Sequence, residues 1–402
     1  MTTLPFPLPD APTLYAPLPA LSEVQRDEAL GGVARIDTPD GGVAYVVTRY
    51  ADVRTVLVDP RFSRAGAAAS TASAADFGLG ALATGSIAGM DPPEHTRLRK
   101  LVARAFTARR VEQLRPGAAG IVDELIDAML ELPQPADLVE HFSLALPVRV
   151  ICEMLGVPAG DRAKFHGWSD TLLGGPGSDP RVMGAALRAM GEYFAGLIAL
   201  KRASPQDDLM TALIAARDEQ DKLSEEELVR LSLGILIGGH ETTANQITMI
   251  LLTLRHHPEQ DARLRADPSL IPGAVEELMR FVQLGDGATS LPRVATEDVE
   301  LGGVTIPKGA VVLPALAVAN RDPEVYDEPD GLDVTRAELS HLSFGAGVHH
   351  CLGAQLARME LQEALRGLFT RMPAVRVAVP DEELRFKQGM IVRSVETLPV
   401  TW

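Results

Sequence analysis

Two cysteines in 402 residues, Cys152 and Cys351, exclude a disulfide framework and make a reducing compartment the expectation. Aromatic residues are scarce at 4%, so a core has to be built mainly from Leu, Val, Ala and Ile. Lys and Arg number 38 against 54 Asp and Glu. The resulting charge of −16 argues against nucleic acid or an anionic membrane as the main partner, because both would repel such a surface. Long hydrophobic runs are missing too: the most apolar internal stretch, 231–239, is far shorter than the roughly 20 residues a membrane span needs. The start, Met1-Thr2-Thr3-Leu4-Pro5-Phe6-Pro7-Leu8-Pro9, lacks the charged flank and apolar segment of a signal peptide or anchor, so a soluble, cytoplasmic protein with no membrane partner is expected.

With 46% hydrophobic and 23% charged residues, the composition is globular. Residues 42–48 read as a strand, followed by a helix from Tyr50 to Val58 that Asp59-Pro60 ends. The Ala/Gly/Ser-rich stretch 65–85 has little bulk and reads as a long loop. From Pro92 to about Arg265 the periodicity is helical, punctuated at Pro116, Pro133, Pro147, Pro158, Gly174-Gly175-Pro176-Gly177 and Pro205. Ser224-Glu225-Glu226-Glu227 matches a capping box, and the apolar pattern then runs to His257. That predicts a helix of about thirty residues, roughly 45–50 Å long, crossing the middle of the protein. Residues 299–306 read as a hairpin around Gly302-Gly303, and 311–317 as another strand. There are no repeats, linkers or breaks in composition, so the prediction is one large domain over residues 1–402, mainly α with small β-sheets (α+β), built around a long central helix.

Chemistry concentrates at Phe344-Gly345-Ala346-Gly347-Val348-His349-His350-Cys351-Leu352-Gly353-Ala354-Gln355-Leu356-Ala357-Arg358, where a thiol stands at the junction of a glycine-rich loop and a helix. A helix N-terminus stabilises a thiolate, and Gly345, Gly347 and Gly353 allow tight turns and close approach to a flat partner. A dinucleotide fingerprint is excluded because His350 stands where its third glycine belongs. A zinc site is excluded because three consecutive side chains diverge too far to share one tetrahedral ion. Cys152, in an apolar run, reads as a small buried hydrophobe. The Cys351 run resembles the cysteine-ligand loop of the cytochrome P450 family, Phe-Gly-x-Gly-x-His-x-Cys-x-Gly followed by Leu-Ala-Arg, at every fixed position.

Within the long helix, Gly238-Gly239-His240-Glu241-Thr242-Thr243 interrupts an apolar surface with two glycines and an acid–alcohol pair. Each glycine costs about 1 kcal/mol against alanine, and a kink relieved by Thr242 bonding back to the Gly238 carbonyl is one reading. A zinc-protease reading fails because residue 244 is Ala. The run also resembles the family's oxygen-binding segment, Ala/Gly-Gly-x-Asp/Glu-Thr. That resemblance implies that Thr242 hydrogen-bonds dioxygen in an opened groove and that Glu241 connects it to solvent protons. Glu277 and Arg280, three apart on one helical face, read alone as an ordinary ion pair. Beside Cys351 they resemble the family's Glu-x-x-Arg, whose third member here is Arg336, although Leu332 replaces the usual Phe.

The implied fold is the heme-thiolate one and the implied cofactor is heme b, iron protoporphyrin IX, with Cys351 as iron ligand and Phe344, Gly345 and Gly353 in its loop. A buried heme needs donors for its propionates. By resemblance these are His95 and Arg99, one helical turn apart, together with Arg293 and His349. By family position the substrate pocket draws on Ile235, Gly238, Ala288, Thr289, Met390 and Ile391, mostly small and apolar and suited to a bulky lipophilic molecule. The expected activity is a monooxygenase using O2 on a polyketide, macrolide or terpenoid, by hydroxylation or epoxidation. Oxidative coupling, peroxide-driven oxidation and a non-catalytic heme protein are the alternatives. No flavin or nicotinamide fingerprint is present, so NAD(P)H electrons would arrive through a separate ferredoxin and ferredoxin reductase. The basic run Arg97, Arg99, Lys100, Arg104, Arg109, Arg110 is either a solvated helix face or a dock for that acidic ferredoxin. A monomer is expected.

Overall fold

The computed structural model describes residues 2–4, 18–37, 42–70, 86–172, 179–218, 223–282, 284–285, 292–337, 340–387 and 392–402. In chain order its elements are β1 (Thr3–Leu4), α1 (Pro19–Arg26), β2 (Val33–Asp37), β3 (Val43–Val47), α2 (Tyr50–Val58), β4 (Phe62–Ser63), α3 (Arg64–Ala69), α4 (Glu94–Val102), α5 (Ala108–Leu130), β5 (Ala136–Asp137), α6 (Ala145–Leu155), α7 (Arg162–Leu172), α8 (Pro180–Ala203) and α9 (Leu209–Asp218). There follow α10 (Glu225–Arg255), α11 (Pro258–Ala266), α12 (Ile271–Phe281), β6 (Arg293–Ala295), β7 (Val299–Leu301), β8 (Val304–Ile306), β9 (Val311–Pro314), α13 (Leu316–Ala319), α14 (Ala354–Arg371), β10 (Arg376–Val377) and β11 (Pro399–Thr401). The predicted make-up, mainly helix with small sheets, is what is observed. The chain groups into two compact units: Met1–Pro92 with Gly273–Cys351 and Ile391–Arg393, and Pro93–Pro272 with Leu352–Met390 and Ser394–Trp402.

In the first unit the sheet runs in the order β1-β2-β3-β9-β6-β4. Period-two alternation sends β3 side chains to two cores. Tyr45 and Val47 join Val312 and the α2 residues Val53, Val56 and Leu57. Ala44 and Val46 join Val311, Leu313 and the α1 residue Leu21. The predicted hairpin is β7–β8, with Leu301 opposite Val304 and left-handed Gly302 and Gly303 between them. The strand predicted over 311–317 stops at Pro314, after which the chain turns into α13.

The second unit is helical around α10, which spans 31 residues. Its capping box forms as the sequence predicts: Glu227 N–H donates to Ser224 Oγ at 3.1 Å and Ser224 N–H to Glu227 Oε2 at 2.8 Å. From His240 to Leu254 every residue except Thr242 is buried, as a helix through a core requires. Two further expectations are corrected. Residues 65–69 of the predicted loop belong to α3, where Ser63 Oγ caps Gly66 N at 2.7 Å and alanine favours the helix. Pro116 does not end a helix but lies inside α5; it and Glu112 are exposed, so the carbonyl it orphans faces water. Among the described residues no helix is long and apolar enough to cross a membrane.

Candidate active site

The Cys351 loop is held by its own backbone. Gly345 N–H donates to Leu342 O at 2.8 Å and Cys351 N–H to Phe344 O at 2.7 Å, while Asn320 accepts from Leu342 N and donates to Ser343 Oγ. Gly345 and Gly347 have φ of +68° and +69°, a region L side chains rarely adopt. At Gly347 a Cβ would also stand 3.0 Å from Leu57 O and 3.1 Å from Val58 Cα, so nothing larger fits. Gly353, by contrast, is an ordinary N-cap for α14 with φ −85°. Phe344 is buried beneath this loop, His349 is half-buried, and Cys351 is exposed. Cys152 has the opposite surroundings: fully buried, its thiol is pushed up to about 12 by desolvation.

Also in the first unit, Glu277 and Arg280 are fully buried on α12 and joined by two bonds of 2.7 Å. The remaining guanidinium donors reach Asn320 O, Pro329 O and Gly331 O. Arg336 Nε stands 3.3 Å from Glu277 Oε2, so the three predicted residues do come together. Asp333 N–H takes the other Glu277 oxygen at 3.0 Å. A buried ion pair needs this level of satisfaction to offset desolvation, and here it clasps the meander at 329–336 to α12.

On α10, in the second unit, Thr242 Oγ1 donates to Gly238 O at 3.1 Å, the back-bond that the sequence suggests. The helix stays continuous through both glycines. They differ in surroundings: a Cβ on Gly239 would press to 2.9 Å from Ile151 Cδ1 of α6, whereas one on Gly238 would meet no described atom within 4 Å beyond its own stretch of helix. Glu241 is fully buried, and Asn245 Nδ2 donates to its Oε2 at 3.4 Å. His240, to which the sequence assigns no role once the zinc-protease motif fails, is also fully buried; Nδ1 lies 2.8 Å from Leu236 O and Nε2 3.8 Å from Glu241 Oε1. Because a carbonyl only accepts, Nδ1 carries the proton, and Nε2 faces the acid. An ionisable residue beside an acid on a core helix was the available signal. Ile235 is buried on the same helix.

The predicted cations divide between the units. His95 is buried and Arg99 half-buried on α4. Arg293 is buried at the start of β6, its charge disfavoured by burial and then by Arg64, with Asp91 opposing. The basic run is less cationic than its sequence: Arg97 pairs with Glu227, and Arg110 with Asp207 at 3.3 Å, acids brought from distant positions. Lys100, Arg104 and Arg109 are exposed. Ala288, Thr289, Met390 and Ile391 lie outside the described residues.

The family model described as Cytochrome P450 matches residues 175–373. The chain is 47% identical over 380 residues to mycinamicin IV hydroxylase/epoxidase of Micromonospora griseorubida, covering 94% of each chain. It is 48% identical over 368 residues to nocardicin C N-oxygenase of Nocardia uniformis subsp. tsuyamanensis, covering 92% of each. Among solved structures it is similar to HinD with NMFT and NO, at TM-score 0.90, 44% identity and 100% of both chains. The chain belongs to the cytochrome P450 family. It is an oxygenase that uses heme iron and O2.

Features of both units of this cytochrome P450 fit heme. A single exposed thiol stands on a loop in which Gly345 and Gly347 take positive φ. Glu241-Thr242 adjoin a helical face that, among the described residues, nothing covers at Gly238. Arg293, buried and opposed by a second cation, is a place where an anionic group relieves strain in the charge distribution. Among the described residues no three His, Cys, Asp or Glu side chains gather as a metal cage, and a heme needs none, since the porphyrin itself holds the iron.

Proposed function

We propose that this cytochrome P450 inserts one oxygen atom from O2 into a C–H bond or alkene of a bulky lipophilic natural product of the polyketide, macrolide or terpenoid type. The observation that carries the reading is the buried acid beside a threonine hydroxyl on α10, Glu241-Thr242. Similarity to mycinamicin IV hydroxylase/epoxidase supports hydroxylation or epoxidation of a natural product of this kind. When bound, heme supplies the iron centre at which O2 is reduced and the substrate oxidised.

The residues around it then have distinct tasks. Cys351 Sγ would ligate the heme iron and, as a thiolate, supply it with electron density. His95, Arg99, Arg293 and His349 hold the propionates, and Phe344, Gly345 and Gly353 shape the ligand loop. Glu277, Arg280 and Arg336 brace the first unit's meander. Thr242 Oγ1 holds a proton that it shares with Gly238 O, and Glu241, oriented by Asn245, resupplies it from solvent. Ile235, Gly238, Ala288, Thr289, Met390 and Ile391 line the substrate side. Residues 1–402 act as one catalytic domain, a cytoplasmic monomer whose electrons come from NAD(P)H through a ferredoxin reductase and a ferredoxin. Lys100, Arg104 and Arg109 are the exposed cations of the basic run available to that acidic partner.

The acid–alcohol pair supports O2 activation over peroxide use. Attack on nitrogen is a second reading, favoured by the 48% identity to an N-oxygenase; it differs in the atom attacked and not in the heme or electron route. The test is the carbon monoxide difference spectrum of the reduced protein, for wild type and Cys351→Ala. A strongly red-shifted Soret band that the variant loses is expected; its absence in heme-loaded wild type overturns the ligand assignment. Thr242→Ala is expected to uncouple NAD(P)H consumption from product formation, and tight coupling in that variant removes Thr242 from proton delivery.

A further inference from the structure

Antiparallel pairing of β4 with β6 sets Phe62 opposite Ala295 and Ser63 opposite Val294, so one residue further on Arg64 comes level with Arg293. Both arginines are nearly fully buried, at 5% and 2% exposed. Like charges facing each other across a sheet repel, and burial removes the water that would screen them. Among the described residues, the acid whose charge reaches both is Asp91, which accepts from Ser63 Oγ and, at 2.9 Å, from Arg64 N. The Arg64 guanidinium donates to neutral carbonyls: Nε to Ala88 O and Nη1 to Pro292 O, both at 2.9 Å. The second of these carbonyls belongs to the residue preceding Arg293. Arg64 therefore fixes the backbone from which Arg293 springs while leaving its own charge to act on it.

We propose that Arg64 is a further heme-positioning residue: with Arg293 it forms a buried cation pair, countered in part by Asp91, that takes up a porphyrin carboxylate, and Arg64 acts through Arg293. An anion placed against the pair lowers its mutual repulsion whatever else either arginine touches. The assignment rests on the heme reading above and adds a cation to its propionate set. Arg64 follows the Phe62-Ser63 strand directly and caps nothing itself, so a helical reading of α3 alone gives no reason for a buried charge there.

The test uses heme-loaded wild type, Arg64→Gln, Arg64→Lys and Asp91→Asn, measuring heme transfer to excess apomyoglobin and the midpoint potential by spectroelectrochemistry. Arg64→Gln is expected to lose heme roughly tenfold faster and to show a lower potential, because removing a buried cation disfavours uptake of an electron. Arg64→Lys restores both. Asp91→Asn removes negative charge and moves the potential the opposite way, upward. A purely structural clasp predicts otherwise: lysine would fail to rescue, and the glutamine and asparagine variants would shift together. Either of those results, or an Arg64→Gln protein with wild-type heme retention and potential, overturns the assignment. Wild type without a thiolate-heme band overturns both readings; a normal wild type with unmoved variants overturns this one alone.

Discussion

Glu360 on α14 is fully buried, and both its carboxyl oxygens lack a hydrogen-bond partner among the described residues. Three residues on, buried Glu363 accepts from both Arg115 and Arg366, so one helix carries a satisfied acid and an unsatisfied one side by side. Desolvation holds the Glu360 carboxyl well above its ordinary 4.5. The folded protein therefore keeps a proton that the unfolded chain releases, and stability falls as pH rises above that ordinary value. Glu360→Gln has nearly the same shape and cannot ionise, so it lacks this loss. The ceiling is about 1.4 kcal/mol per pH unit, so the variant's stability relative to wild type should grow with pH, by up to about 2.6 kcal/mol between pH 5 and pH 7. With unfolding entropy of roughly 2.1 cal/mol/K per residue, that is a melting-temperature difference widening by up to about 3 °C. Thermal unfolding of both heme-loaded proteins by circular dichroism at pH 5, 6 and 7 measures it. Parallel melting temperatures across that range would show that Glu360 is charged and paired in the folded state, and the reasoning would fail.

Other perturbations have equally definite outcomes. Arg280→Met leaves Glu277 buried with its main partner gone and should cost about 3–5 kcal/mol, lowering the melting temperature by roughly 4–6 °C; an unchanged value would mean that Arg336 and the Asp333 N–H suffice to satisfy the acid. Ser224→Ala removes the side-chain half of the capping box and should cost about 1 kcal/mol, seen as faster amide exchange confined to the first turn of α10. Cys152, with its thiol raised to about 12, should resist a disulfide reagent at pH 8 in the folded protein, where roughly one thiol in ten thousand is ionised, and react once denaturant is added. Reaction in the native state would show that α6 opens readily.

Much of this was legible because the determining interactions are local. Tyr50–Val58 is a helix with the predicted limits since Asp59-Pro60 cannot continue it, and α10 starts where Ser224 and Glu227 exchange bonds across one turn. The Glu277–Arg280 pair is likewise a matter of helical spacing. Signals that fail are those outweighed by distant partners. Pro116 reads as a stop, but burial of Ala118, Ile121, Val122 and Ile126 carries α5 through it. The run from Arg97 to Arg110 contains no acid, yet Glu227 and Asp207 pair with two of its arginines.

The sequence by itself determined the cysteine loop, the acid–alcohol pair and the helix that carries it, because each is a short pattern whose backbone demands only particular residues can meet: glycine at positive φ in the loop, and a serine cap with a glutamate three residues on. Tertiary structure alone decided which charges are buried and what they face. Arg64 and Arg293 are 229 positions apart and gain their mutual repulsion only when β4 pairs with β6. Arg336 becomes the third member of its cluster only when the meander folds back on α12, and Glu360 loses its charge only when α14 is packed away from water. Local propensity depends on neighbours in the chain, whereas desolvation and Coulomb energy depend on neighbours in space, and only the folded chain supplies those.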